Sequence, residues 1–190
     1  FTCSEDLISL YNCFDDQEVK DLRLNAFFEA REDEQYKVAK VVEKVYDCFV
    51  IRSAELYLNK AEAEAMLDKA EAKQTIKTLL NNRFEGGIPD VDGLNEKDLI
   101  SFIRDERRRE LCFEAHRWFD LRRYAVSSKY PEKKSIRHET YDKNGVLEGD
   151  YVLKPYGEDP AWVLPIPGYE IVYNQGNLVD NPQRVERKLE

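Results

Sequence analysis

Between Asn95 and Tyr124 a single helical face carries both core residues and charges, and that combination limits the fold more than any other feature of the chain. Asn95, with Asp98 three residues later, provides a capped start. Leu99, Phe102 and Ile103 follow at helical spacing, but the same face continues through Glu106, Arg107, Glu110 and Glu114 before reaching Trp118 and Leu121. A stripe that is apolar at both ends is expected to be buried in the middle, so its charges must be paired. Glu106, Arg107, Glu110, Glu114 and Arg117 have the spacing for ion pairs with one another.

Two chemical readings compete with this structural one, an acid/base pair of carboxylates and an arginine site for anions. Glutamates paired with arginines stay ionised, whereas a catalytic acid needs a pKa raised toward neutrality. The stretch is therefore expected to be a structural strut with no catalytic residue. Trp118 and Phe119 are expected to anchor the core behind it. His116 lies in the stretch, but no Ser or Cys has a recognisable nucleophile context.

Upstream, Ala54, Leu58, Ala61 and Ala65 recur at intervals of three or four, with Leu67 at the far end, and predict one face of an amphipathic helix. Ala61, Ala63, Ala65, Ala70 and Ala72 permit close helix approach. Ile76, Leu79, Leu80 and Phe84 then predict a second helix after a turn near Asp68, giving an antiparallel pair. No Gly or Pro marks that turn, so a single longer helix is the alternative. The pair resembles one tetratricopeptide-type unit; an array would need stacked neighbours.

The flanks are less regular. Leu7, Ile8, Tyr11 and Phe14 predict a first helix with Ser4 as its cap. The stretch 15–34 is acidic and weakly periodic, and 36–50 supplies a short strand. After the loop Gly86 to Gly93 and the charged helix, Asp142-Lys143-Asn144-Gly145 predicts a hairpin turn between short strands, which Tyr151-Val152-Leu153 extends. Pro165 and Pro167 impose an extended path beyond Trp162, itself expected to plug a core, and Glu170 to Tyr173 add one helical turn.

Composition narrows the partners. With 190 residues, 42% of them hydrophobic, the chain can bury a substantial core as one domain, two small lobes being the alternative. A net charge of -9 repels phosphate backbones and anionic lipid, which argues against nucleic acid. The four cysteines, Cys3, Cys13, Cys48 and Cys112, form no C-x-x-C pair and have only His116 and His138 as nitrogen companions, so no metal is expected. Cys48 and Cys112 sit in apolar patterns as buried thiols. A Cys3–Cys13 bridge is open in an oxidising compartment, simple burial being the commoner state of a free Cys. No run of about 18 apolar residues could span a membrane. Phe1-Thr2-Cys3-Ser4 has neither an initiator Met nor a signal segment, so the chain is expected to begin in mid-protein. Leu189-Glu190 is set aside as a vector-derived remnant.

The ordered motifs carry a resemblance. Ile51-Arg52-Ser53-Ala54-Glu55-Leu56-Tyr57-Leu58-Asn59-Lys60-Ala61-Glu62-Ala63 is similar to the first signature of the SusD/RagB family. Glu106-Arg107-Arg108-Arg109-Glu110-Leu111-Cys112-Phe113-Glu114 leading into Arg117-Trp118-Phe119-Asp120-Leu121-Arg122-Arg123 resembles the next. Pro165-Ile166-Pro167 with Glu170, and Asn177-Leu178 with Asn181-Pro182, complete the series. Their order and spacing across about two thirds of the chain make the match specific; residues 1–35 match loosely. Ala115 stands where the family usually has Gly, and Asp180 and Gln183 depart from its usual ending.

The resemblance implies a mainly α fold of tetratricopeptide-like helix pairs with irregular loops and a small β-hairpin near the C-terminus, residues 1–190 forming one carboxyl-terminal domain. It implies a non-catalytic, cofactor-free outer-membrane surface lipoprotein that captures glycans or other nutrients and caps a TonB-dependent transporter barrel. Membrane attachment would come only through a lipid anchor in an amino-terminal part. The family's ligand contacts vary, so candidates come from chemistry: sugar faces stack on aromatic rings, and Tyr130, Tyr141, Tyr151 and Tyr156 lie outside the periodic helices. Each has packing of the β element as its plainer role. A helical scaffold binding protein partners through a concave face is the alternative, and a glycoside hydrolase using Glu106 and Glu110 stands behind it.

Overall fold

Seven α-helices and three two-stranded ribbons make up the described residues, 3–14, 18–31, 35–40 and 52–181 of the computed structural model. The chain divides into two compact units, Phe1–Trp118 and Phe119–Glu190.

In the first unit, α3 (Ser53–Met66) and α4 (Glu71–Leu80) form the expected hairpin of helices, a pair of the tetratricopeptide type. The turn without Gly or Pro is made by Asp68, which takes the left-handed conformation at φ 57. Its amide donates to the Ala65 carbonyl and the Lys69 amide to the Glu64 carbonyl, a Schellman closure with Asp in the place usually held by Gly. A short polar side chain tolerates this backbone, which is why two helices form rather than one. Ala54, Leu58, Ala61 and Ala65 are buried as the spacing predicts, whereas Leu67, just past the last turn, is exposed.

Next comes α5 (Glu96–Glu110), capped as expected by Asn95, whose side chain accepts from the Asp98 amide at 3.0 Å. Its Leu99, Ile100 and Ile103 join Leu58, Ile76, Leu80, Phe84, Val91 and Phe14 in the main apolar core. A second apolar cluster gathers Leu7, Ile8 and Tyr11 of α1 (Glu5–Asn12) around Phe28 and Cys112. The Ser4 side chain makes no cap bond; its carbonyl already takes the Leu7 amide, the donor a capping hydroxyl would have satisfied.

The weakly periodic acidic stretch contains β1 (Lys20–Asp21), α2 (Arg23–Phe27) and β2 (Phe28–Ala30). Their partners lie far along the chain or across a loop: β1 pairs with β4 (Phe84–Glu85), and β2 with β3 (Tyr36–Val38). Elements this short show no period, so local pattern could not find them. Gly86 turns away from β4 at φ 83, where an added Cβ would stand 2.8 Å from the Glu18 carbonyl oxygen. Cys3, Cys13 and Cys112 are free thiols, with Cys13 donating to the Leu10 carbonyl; Cys48, Gln183, Pro182 and Leu189-Glu190 lie outside the described residues.

The boundary between the units falls within α6 (Arg117–Ala125). Asp120, Leu121, Tyr124 and Ala125 are its buried residues. Phe119, expected to be a core anchor, is 64% exposed because it points to the opposite side of the helix from that set. The second unit continues with the predicted hairpin of β5 (Ile136–Tyr141) and β6 (Leu147–Leu153). Asp142 shapes its turn, accepting from the Asn144 and Val146 amides at 2.8 Å each. A 3-10 turn over Pro160–Trp162 buries Trp162, whose Nε1 donates to the Lys154 carbonyl, and α7 (Gly168–Tyr173) is the expected short helix.

Candidate functional site

The charged stripe of α5 is buried and paired, but its partners come chiefly from outside the stripe. Glu106, 0% exposed, accepts from Arg23 at 2.6 and 3.1 Å and from Arg109 at 2.8 Å. Glu110, 1% exposed, accepts from Arg23 at 2.9 Å, Arg52 at 2.5 Å and Arg83 at 2.8 and 2.9 Å. Glu114 meets Arg52 at 2.8 Å and Lys40 at 2.5 Å. Arg107 donates to Asn59 at 2.7 Å and lies 3.6 Å from Glu55, with His116 beside it at 3.5 Å. Arg117 opens α6, half-buried. Arg109 completes the buried face with its guanidinium over the Phe14 ring at 4.9 Å and the Phe102 ring at 5.5 Å.

These contacts place the first two family-like signatures against each other. Along α3 and just before it, Arg52, Glu55, Asn59 and Glu62 face Glu114 and Glu110, Arg107, Arg107 and Arg104 in reverse order on α5 and the turn after it. The first motif is thus the counter-charge of the second, one polar seam between antiparallel helices. Asp21, Arg23 and Lys40 add charges from segments with no helical period, and Arg83 adds one from the turn where α4 ends at Leu80, short of the Phe84 that the helical spacing includes and that lies in β4. Sequence reasoning missed these four residues. Their only signal was an excess of carboxylate on a stripe that had to be buried, which calls for cations from elsewhere in the chain.

The electrostatics follow. Burial alone would raise the Glu106 carboxyl, but the charges of Arg23 and Arg109 and their hydrogen bonds outweigh it and hold the group below the ordinary carboxylate range. At Glu110, burial is likewise overcome by the Arg83 bond, the Arg23 charge and the Arg52 bond, and at Glu114 by the bonds from Arg52 and Lys40. Both glutamates of the acid/base reading are therefore held ionised, the reverse of what a general acid requires. Among the described residues no group of His, Cys, Asp and Glu has the arrangement of a metal site.

The aromatic candidates all belong to the second unit, each in its own surroundings. Tyr156 packs edge-on against Trp162 with 5.9 Å between centroids and lies under the Arg122 guanidinium at 5.2 Å. Tyr151 is half-buried opposite His138 in the hairpin. Tyr130 takes a left-handed backbone at φ 48 and is 36% exposed. Tyr141, at the end of β5, is 55% exposed and donates its hydroxyl to Glu139 at 2.5 Å. The closing motifs are joined: Asp180 accepts from the Ile166 amide at 2.9 Å, and the Asn181 side chain donates to the Leu164 carbonyl at 2.6 Å, pinning the extended proline segment.

Together these features define a mainly helical module, a tetratricopeptide-type pair backed by a third helix through a buried ionic seam, followed by a hairpin-bearing unit. The model of the SusD family matches residues 22–183, reaching back past Tyr36 into the segment that supplies Arg23, and the chain belongs to that family. It is similar to SusD-like protein P2 of Formosa agariphila, at 28% identity over 142 residues, which are 70% of this chain and 25% of that protein. It is also similar to SusD-like protein P38 of the same organism, at 40% identity over 79 residues, 38% of this chain and 16% of that protein. The chain thus matches a quarter or less of the length of these relatives. A SusD-like carbohydrate binding protein from Bacteroides vulgatus shares the fold at a TM-score of 0.58 and 20% identity, over 93% of this chain and 41% of that one.

Proposed function

We infer that this chain is the carboxyl-terminal domain, formed by both units, of a non-catalytic glycan- or nutrient-binding lipoprotein at the outer-membrane surface, where it serves a TonB-dependent transporter barrel. Membership of the SusD family over residues 22–183 is the observation that carries the reading. The fold shared with the SusD-like carbohydrate binding protein from Bacteroides vulgatus supports the ligand class. The ionised, buried Glu106 and Glu110 support a structural rather than a hydrolytic role for the charged stripe, and turnover unchanged by Glu110→Gln would dispose of the hydrolase reading. No helix among the described residues is long and apolar enough to cross a membrane, and attachment through a lipid is the form the proposal takes.

The test is titration of the full-length protein against a polysaccharide panel, together with co-purification from outer membranes with a barrel partner. Binding to at least one glycan is expected, and binding to none overturns the glycan reading. Leu56 and Tyr57, exposed on α3, favour a second reading as a helical scaffold for protein partners. Glycan binding by the purified protein with no other protein present separates the two.

A further inference from the structure

We propose that one face of the β5–β6 hairpin, formed by Tyr141, Glu139, Asp150 and Arg137, is a contact surface for an uncharged glycan chain. The inference rests on the glycan reading above and assigns it a place and a ligand class.

Strand geometry selects the residues. Side chains alternate across a strand, so Arg137, Glu139 and Tyr141 share one face of β5, while Ile136, His138 and Thr140 occupy the other. The cross-strand register puts Val152 opposite Arg137 and Asp150 opposite Glu139, adding both to the first face. Tyr151, opposite His138, falls on the second. Beyond Thr140 the register slips, with Tyr141 opposite Leu147, so Glu148 is an extra residue on β6 beside Gly149 at φ 147. A bulge of this kind twists the strand end and re-aims its side chains, here at the position of the exposed tyrosine.

Two like charges, Glu139 and Asp150, directly opposite one another disfavour a hairpin unless something else holds them there. Arg137 does so for Asp150, with Nε 2.6 Å from Oδ2, and the Tyr141 hydroxyl does so for Glu139 at 2.5 Å. The result is an exposed ring with carboxylates and a guanidinium fixed beside it. Pyranose recognition uses these two elements: C–H faces of the sugar stack on the ring, and carboxylate or guanidinium groups bond vicinal hydroxyls. Stacking is sequence-tolerant and weak per contact, which suits capture of a long polymer by repeated engagement.

Charge decides the class. Arg137, Glu139 and Asp150 sum to one negative charge on this face, on a chain whose net charge is -9. A uronate or sulfated polymer would meet repulsion both locally and at long range, whereas an uncharged one would not.

The experiment uses the full-length protein with soluble starch, laminarin and galactomannan as uncharged probes and alginate and carrageenan as anionic ones, read by calorimetry and affinity electrophoresis. An uncharged probe is expected to bind, and Tyr141→Ala to weaken it about tenfold, the size of one lost stacking contact. Glu139→Gln with Asp150→Asn is expected to weaken it as well, and His138→Ala on the opposite face to leave it within about twofold, the melting temperature reporting that each variant is folded. Wild-type binding that Tyr141→Ala leaves within twofold overturns this surface while the glycan reading stands. Wild-type binding to the anionic probes alone overturns the ligand class. Binding to no probe counts against the glycan reading itself and removes the basis of the surface with it.

Discussion

Replacing Arg23 by Met tests whether the buried seam holds the amino-terminal segment to α5. The Arg23 guanidinium makes five hydrogen bonds to three carboxylates: two to Asp21, two to Glu106 and one to Glu110. After substitution Glu110 keeps Arg52 and Arg83, and among the described residues Glu106 keeps Arg109 alone. Among the described residues, Asp21 keeps only the amide of residue 23, at 2.9 Å. Two carboxylates that are essentially inaccessible to solvent are then under-compensated. Methionine fills most of the space, so the loss is electrostatic rather than a cavity. Removing one member of a buried ion pair costs about 3–5 kcal/mol, against a total stability of about 5–15 for a domain.

Urea unfolding at pH 7 and at pH 4, followed by far-ultraviolet circular dichroism, measures the loss. The pH dependence has a definite sign. Glu106, Glu110 and Glu114 have lowered folded pKa values, so their contribution is fully present above the unfolded value of about 4.3 and is lost as pH falls through the folded values. In Arg23→Met the Glu106 carboxyl rises, because burial is no longer outweighed, and protonation relieves the variant sooner. The difference between wild type and variant therefore shrinks on acidification, and adding Glu106→Gln recovers part of the loss. A difference below about 1 kcal/mol at pH 7, or one unchanged between pH 7 and 4, would refute the reasoning.

Other substitutions probe local geometry. Ala115 sits at φ 63, a conformation that costs a residue with a Cβ about 1–2 kcal/mol and glycine nothing, so Ala115→Gly is expected to stabilise by up to about 1 kcal/mol after its extra unfolded-state entropy, read by thermal melting. Gly86→Ala forces a Cβ against the Glu18 carbonyl oxygen at a left-handed backbone and is expected to destabilise by about 1–3 kcal/mol, with faster amide exchange in the β1–β4 ribbon. Trp162→Ala empties the largest fully buried side chain and is expected to cost about 3–5 kcal/mol, with earlier proteolysis of residues 119–181 as the readout.

By itself the sequence determined the longer helices, though not α2 or a Ser4 side-chain cap: the period through Ala54 to Leu80, the Asn95 cap, the hairpin turn at Asp142 and the burial of Trp162 were all legible. These depend on interactions within a few residues, which spacing and turn chemistry encode directly. The sequence also required that Glu106 and Glu110 be compensated, since a charge on a buried stripe has no stable alternative. Which groups compensate them was decided by tertiary structure. Arg23 lies 83 residues from Glu106, in a segment whose ribbons and single-turn helix form only through pairing outside it, and Arg52, just before α3, lies 58 residues from Glu110. Tertiary structure likewise turned Phe119 outward, divided four equivalent-looking tyrosines among different surroundings, and put Asp150 on the hairpin face that carries Arg137, Glu139 and Tyr141. Local period says which residues share a face; only the packed chain says what that face meets.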